Sequence, residues 1–172
     1  MMTVNDTRGE VPMTVAADEF KNVMSRVAAT VTVVTARGKE APIGLTVSAF
    51  MSVSADPPIV LVCVDKSTAS LDGMLAAEGF TVNIMPESAG DEAMLFATHG
   101  ADKFGESQWS DAAVPHAGPV LASATGHLEC EAVDRHEVGD HWVIYGQVEA
   151  VATAEAAEAP LVWHNRSFAR LR

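Results

Sequence analysis

Over residues 45–54 the apolar side chains Leu45, Val47, Ala49, Met51 and Val53 alternate with Thr46, Ser48, Ser52 and Ser54, and only Phe50 breaks the rhythm. A period of two is that of a strand with one buried face. Asp56-Pro57-Pro58 turns the chain, because two successive prolines bring no N–H to a ladder. Residues 59–64 are continuously apolar, the pattern of a strand covered on both faces, and the run stops at Asp65-Lys66-Ser67. Over residues 68–77 the apolar positions Leu71, Met74 and Leu75 take helical spacing, with Ser67 placed as the N-cap. A cation and hydroxyls would then stand at a helix start, where free N–H groups favour an anion. The plainer description is a capped helix with a solvated lysine, and the segment alone favours it.

The same periodicities organise the rest of the chain. Phe20, Val23, Met24 and Val27 lie at i, i+3, i+4 and i+7, which predicts an amphipathic helix over residues 18–27. Residues 30–36, TVTVVTA, are rich in β-branched side chains and predict a strand. A further strand is expected over residues 80–85 and a helix over 87–97. The next stretch, THGADKFGESQWSDAAVPHAGP, is a loop long enough to be functional. Residues 120–133 and 141–152 form the two arms of an antiparallel hairpin around a turn at 136–140, and short strands at 161–164 and 168–171 close the chain. Residues 1–13 lack periodicity and are expected to form a loose arm before a domain spanning 14–172. At least six strands, three short helices and no regular βαβ alternation predict a mainly β protein. Its form is a closed or nearly closed antiparallel barrel with short helices at the rim. A doubly wound sheet is the weaker alternative.

Composition narrows the function. A chain of 172 residues with 48% hydrophobic content supports a real core. A net charge of −12 argues against nucleic acid and anionic membrane surfaces, both of which need clustered Lys and Arg. The longest apolar run is too short to cross a bilayer, and the N-terminal residues MMTVNDTRGE contain no apolar signal core, so a cytoplasmic protein is expected. Cys63 and Cys130 make no CxxC pair and are expected to be free thiols. The six histidines show no zinc spacing, so no metal is expected. The His127, Glu129, Glu131 face is expected to be solvated. No GxSxG, Walker loop or GxGxxG occurs.

Blocks along the chain carry a resemblance: VTVVTA, GLTVSAFMSVSADPPIVLVCVDKS, FTVNIM, DKF, GHLECEAV, VGDHWVIYGQVEAV and PLVWHNRSF. In this order and spacing, over roughly residues 18–171, they resemble the flavin reductase family of two-component monooxygenases. The sub-type they most resemble is the reductase component of 4-hydroxyphenylacetate 3-monooxygenase. The resemblance implies an FMN-binding split barrel, an antiparallel Greek-key barrel, usually homodimeric with flavin at the subunit interface. It implies reduction of freely exchanging FMN or FAD by NADH or NADPH, with reduced flavin passed to a partner monooxygenase. It maps the flavin ring onto Thr46, Val47, Ser48 and Ala49, and the ribityl phosphate onto Cys63, Val64, Asp65, Lys66, Ser67 and Ser70. Lys103 and Phe104 match the family's cover over the cofactor. The nicotinamide side maps to His141 and Phe168, with His141 the one candidate for a catalytic side chain. Two positions depart from the family pattern: Thr30 stands where many members have glycine, and Phe168 where many have tyrosine. Two rivals remain: a split barrel holding flavin or deazaflavin tightly for another substrate, and a non-catalytic flavin-binding module. The residues agree with hydride chemistry in one respect. Cofactors that carry the reaction need stacking and distance control rather than a proton-transfer triad.

Overall fold

A computed structural model describes residues 15–154 and 158–171, so the expected arm at 1–13 lies outside the described residues. The first helix, α1 (Ala17–Met24), is shorter than the periodicity implied. Strands β1 (Ala29–Thr30), β2 (Thr32–Arg37), β3 (Pro42–Val47), β4 (Phe50–Ala55) and β5 (Pro58–Asp65) follow. Next come α2 (Leu71–Ala76), β6 (Gly79–Ile84) and, after a 3-10 turn at Glu87–Ala89, α3 (Gly90–Ala97). The long loop then carries the two short strands β7 (Trp109–Ser110) and β8 (Val120–Leu121). Two long strands, β9 (Gly126–Val138) and β10 (His141–Thr153), precede the short β11 (Val162–His164) and β12 (Ser167–Ala169).

Seven of these strands form one antiparallel sheet in the order β3-β2-β6-β9-β10-β5-β4. Its two edges, β3 and β4, are consecutive in the chain. The sheet therefore curls until its edges stand on either side of Ser48-Ala49, and the Cys63 N–H, which donates to the Ala49 carbonyl at 2.9 Å, carries the β4–β5 pairing up to that gap. This is the expected barrel, split at one seam.

The single strand expected over residues 45–54 is thus two strands on opposite edges. Leu45 and Val47 are buried, whereas Met51 and Val53 are 62% and 50% exposed, although all four share one parity. Phe50, which breaks the alternation, is the β4 side chain that packs on the core. Likewise β5 is not covered equally on both faces: Val60, Val62 and Val64 are buried, while Ile59, Leu61 and Cys63 are half-buried.

Two apolar clusters hold the barrel. One fills its interior with Val34, Val62, Val64, Phe80, Val82 and Ile144. The other packs Val31, Val33, Met85, Phe96 and Leu161 between β2, α3 and the closing strands. Neighbours Val33 and Val34 serve different clusters, which is why β2 is buried on both faces from Thr32 to Ala36 and β-branched from Thr32 to Thr35. Each such side chain contributes about 1.5 to 3 kcal/mol.

Buried polar groups fasten the end of the long loop. The Leu121 N–H donates to Asn83 Oδ1 at 2.9 Å, and the Asn83 amide donates to the Val33 carbonyl at 3.1 Å. The Thr35 and Thr81 hydroxyls donate to the carbonyls of Pro119 and Gly118 at 2.5 and 2.6 Å.

The same loop corrects the expected solvated face of β9. Glu129 is 2% exposed, because the loop packs over it and the Val114 N–H donates to its Oε2 at 2.6 Å. The hairpin turn is also tighter than 136–140. The strands run on to Val138 and resume at His141, leaving Gly139-Asp140, with Gly139 at φ +58° where a glycine has no Cβ to strain.

Candidate functional site

The barrel seam opens into a cavity of about 810 Å³. One wall is β3 with Ser48 and Ala49. The opposite wall is the end of β5 with residues 67–70, and His141 stands at the start of β10. The roof is the end of α3 and residues 98–104. Its size lies within the range of small-molecule sites.

Sequence and structure converge on most of the expected site. Thr46, Val47, Ser48, Ala49, Cys63, Asp65, Ser67, Ser70, Lys103, Phe104 and His141 all line this one cavity. Three do not. Val64 is fully buried in the barrel core. Phe168 packs edge-on against Trp163, ring centres 5.4 Å apart, in the second cluster. The Lys66 ammonium donates to Glu137 Oε1 at 2.5 Å and to the Gly139 carbonyl at 2.6 Å.

The local chemistry of residues 65–70 differs from a capped helix. Asp65 Oδ1 accepts both the N–H and the hydroxyl of Ser67 at 2.7 Å, so Ser67 closes a turn on Asp65. The helix begins later, at Leu71, with Ser70 at its N-cap position and no side-chain capping bond. The Ser67 hydroxyl and then its N–H hold the Asp65 carboxyl below its ordinary 3.8.

The roof is built by an aromatic row. Phe96 and Phe104 meet edge to face at 5.3 Å, and Phe104 and Trp109 at 5.8 Å, with Trp109 Nε1 donating to the Phe104 carbonyl. Gly44 permits this arrangement: a Cβ there would lie 2.5 and 2.7 Å from carbons of the Phe96 ring. Lys103 Nζ donates to the Gly44 carbonyl at 3.0 Å. It is the only lysine or arginine lining the cavity among the described residues, and burial pushes its pKa below the ordinary 10.5. The Thr46 hydroxyl donates to the Ala93 carbonyl at 2.5 Å and ties β3 to α3.

On the far side, His141 Nδ1 lies 2.7 Å from Asp140 Oδ1. A carboxylate only accepts, so Nδ1 carries the proton in this bond. This bond is also the first cause of the lowered Asp140 pKa. Gly44, Phe96 and His99 line the cavity as well and were absent from the sequence expectation. The signal for Gly44 was a glycine inside a strand, which marks a close approach.

The family description "Flavin reductase like domain" matches residues 24–172. The chain belongs to this family. It is 41% identical over 152 residues to the reductase component of a 4-nitrophenol 4-monooxygenase/4-nitrocatechol 2-monooxygenase of Rhodococcus opacus, covering 87% of this chain and 78% of the relative. It is 32% identical over 160 residues to a flavin reductase (NADH) of Kitasatospora aureofaciens, covering 92% and 84%. Among solved structures it is similar to a Streptomyces globisporus NADH:FAD oxidoreductase in complex with NAD and FAD fragments. That likeness has a TM-score of 0.83 and 32% identity over 90% of this chain and 92% of the other. The flavin reductase barrel thus accounts for both the curled sheet and the seam at which the cavity opens.

Proposed function

We propose that this chain is an NAD(P)H:flavin oxidoreductase that reduces freely exchanging FMN or FAD and supplies the reduced flavin to a partner monooxygenase. The observation that carries it is the cavity at the barrel seam. It has small side chains on one wall, a hydroxyl-rich turn on the other, and a lysine with an aromatic row above. These features fit a planar ring bearing a phosphate tail. Flavin, when bound, supplies the hydride acceptor and a reduced nicotinamide the donor.

The chain's own residues have the remaining tasks. Ser48 and Ala49 present backbone without bulk to a ring, alongside Thr46 and Val47. Ser67 and Ser70, on the turn shaped by Asp65, offer hydroxyls and N–H groups to a phosphate. Lys103 brings positive charge to an anionic ligand or product, more strongly for being half-buried. Phe96 and Phe104 keep water from the roof. His141, fixed by Asp140, is assigned to the nicotinamide side. Phe168 is retained there only as a residue that a partner subunit would have to bring near.

A homodimer belongs to the proposal. Phe20, Val23 and Met24 of α1 are 60%, 64% and 47% exposed, and Met51 and Val53 of β4 stand out from the sheet beside half-buried Leu61. Uncovered apolar faces of this extent support an interface. Free Cys63 and Cys130 support a reducing compartment, the cytoplasm. Among the described residues no helix is long and apolar enough to cross a membrane. The test is turnover: purified protein should oxidise NADH or NADPH only when FMN or FAD is added, with many flavins reduced per chain. Nicotinamide oxidation that ignores added flavin would remove the proposal.

A further inference from the structure

We infer that Lys66 is a positioning residue: its side chain latches the flavin-side turn to the β9–β10 hairpin and holds Asp65, Ser67 and His141 in one frame. This inference rests on the flavin function proposed above. In sequence Lys66 stands between two residues of the cavity wall, as a phosphate ligand would. In space its ammonium is turned to the hairpin, on Glu137 and the Gly139 carbonyl. Its backbone N–H donates to the Asp140 carbonyl at 3.0 Å, so both ends of the residue grip the same turn. The lysine side chain is 33% exposed and that of Glu137 59%, so solvent screens the ion pair and a modest effect is expected from it.

The place gripped matters. His141 is the ladder partner of Asp65, and its ring is oriented by Asp140, the residue whose carbonyl accepts the Lys66 N–H. Strand pairing ends there, and among the hydrogen bonds and ion pairs of the described residues those of Lys66 tie residues 66–70 to the hairpin turn. Loss of the ammonium would remove the side-chain half of this grip and leave the Lys66 N–H and the Asp65–His141 pair to hold residues 66–70 against the hairpin. The cost would fall on any flavin, with or without a phosphate.

The experiment compares Lys66→Met, the charge-exchanged pair Lys66→Glu with Glu137→Lys, and the unmutated chain, using FMN and riboflavin as flavins. Lys66→Met should raise the KM of both flavins by the same factor, on the order of threefold for a partly exposed charged pair. The exchanged pair should recover only in part, to within about twofold, since it restores the ion attraction with its signs reversed while a carboxylate at 66 cannot donate to the Gly139 carbonyl. Hydrogen exchange of the flavin-free proteins gives a second readout. Residues 66–70 and 137–141 should both exchange faster in Lys66→Met and slow again, short of the original rate, in the exchanged pair, which lacks the bond to the Gly139 carbonyl. If the KM of FMN rises while that of riboflavin stays, and the pair is not rescued, Lys66 binds the phosphate and the latch is wrong. Unchanged hydrogen exchange in Lys66→Met also overturns it. An unmutated chain that reduces no flavin removes the functional proposal instead, and hydrogen exchange then decides the latch alone.

Discussion

Lys103 is where a single side chain does most for the cavity, because among the described residues it is the one lysine or arginine lining it and it is half-buried. Lys103→Met keeps the stem and removes the charge. The KM for flavin should rise by about tenfold or more, the equivalent of one charge-assisted hydrogen bond at about 1.5 to 3 kcal/mol, with kcat less affected. The lowered pKa adds a direction in pH. Below that pKa the ammonium is charged and attracts an anion; as pH rises through it the attraction is lost, beginning below the ordinary 10.5. Flavin KM measured against pH should therefore climb on the alkaline side in the native chain and lose that limb in Lys103→Met. Gly44 sets the same roof by having no side chain. Gly44→Ala drives a methyl into the Phe96 ring and should cost about 1 to 3 kcal/mol in a urea titration, the range for overpacking.

At the scale of elements, the long loop between α3 and β9 is held by polar groups as well as by its apolar side chains. Its far end hangs on Asn83, Thr35 and Thr81, all fully buried. Asn83→Leu leaves the Leu121 N–H without its acceptor and should destabilise the protein by about 1 to 3 kcal/mol. Thermal unfolding would register the loss, and an unchanged midpoint would mean that the loop is held elsewhere. These anchors could not be read from the chain, because Asn83 sits in a strand whose apolar periodicity gives no hint of a partner 38 residues on. The break between β3 and β4 was hidden for a different reason. The alternation persists through Ser48 while the chain passes from one edge of the sheet to the other, so equal parity no longer means equal burial. Phe50 was the signal. Lys66 was hidden in a third way: the segment alone favoured a capped helix with a solvated lysine, and it is folding that brings Glu137 to its ammonium. By contrast β2 and β6 were legible, because each is one short run in one buried environment. The β9–β10 hairpin was legible as a pairing, while the expected arm at 120–133 divides into β8 and a β9 that runs from Gly126 to Val138 with two irregularities in its ladder.

For the whole molecule, the apolar side chains left on α1 and β4 bear on assembly. Sedimentation of the purified chain should give twice its 18.1 kDa, and Met51→Glu with Val53→Glu should shift it toward one copy. A monomer at micromolar concentration would leave these faces without the proposed role. A net charge of −12 would favour the solubility of such a dimer, while among the described residues Lys103 is the one lysine that lines the cavity for an anionic ligand. A barrel closed by a chain turn instead of a ladder explains why the site lies where it does: at the seam, backbone and small side chains face open space. Whether that seam serves flavin turnover is decided most directly by following absorbance at the nicotinamide band while free FMN or FAD is titrated in. The expected result is oxidation whose rate saturates with added flavin and continues over many turnovers per chain. A rate independent of added flavin, or no oxidation with either nicotinamide, would contradict it.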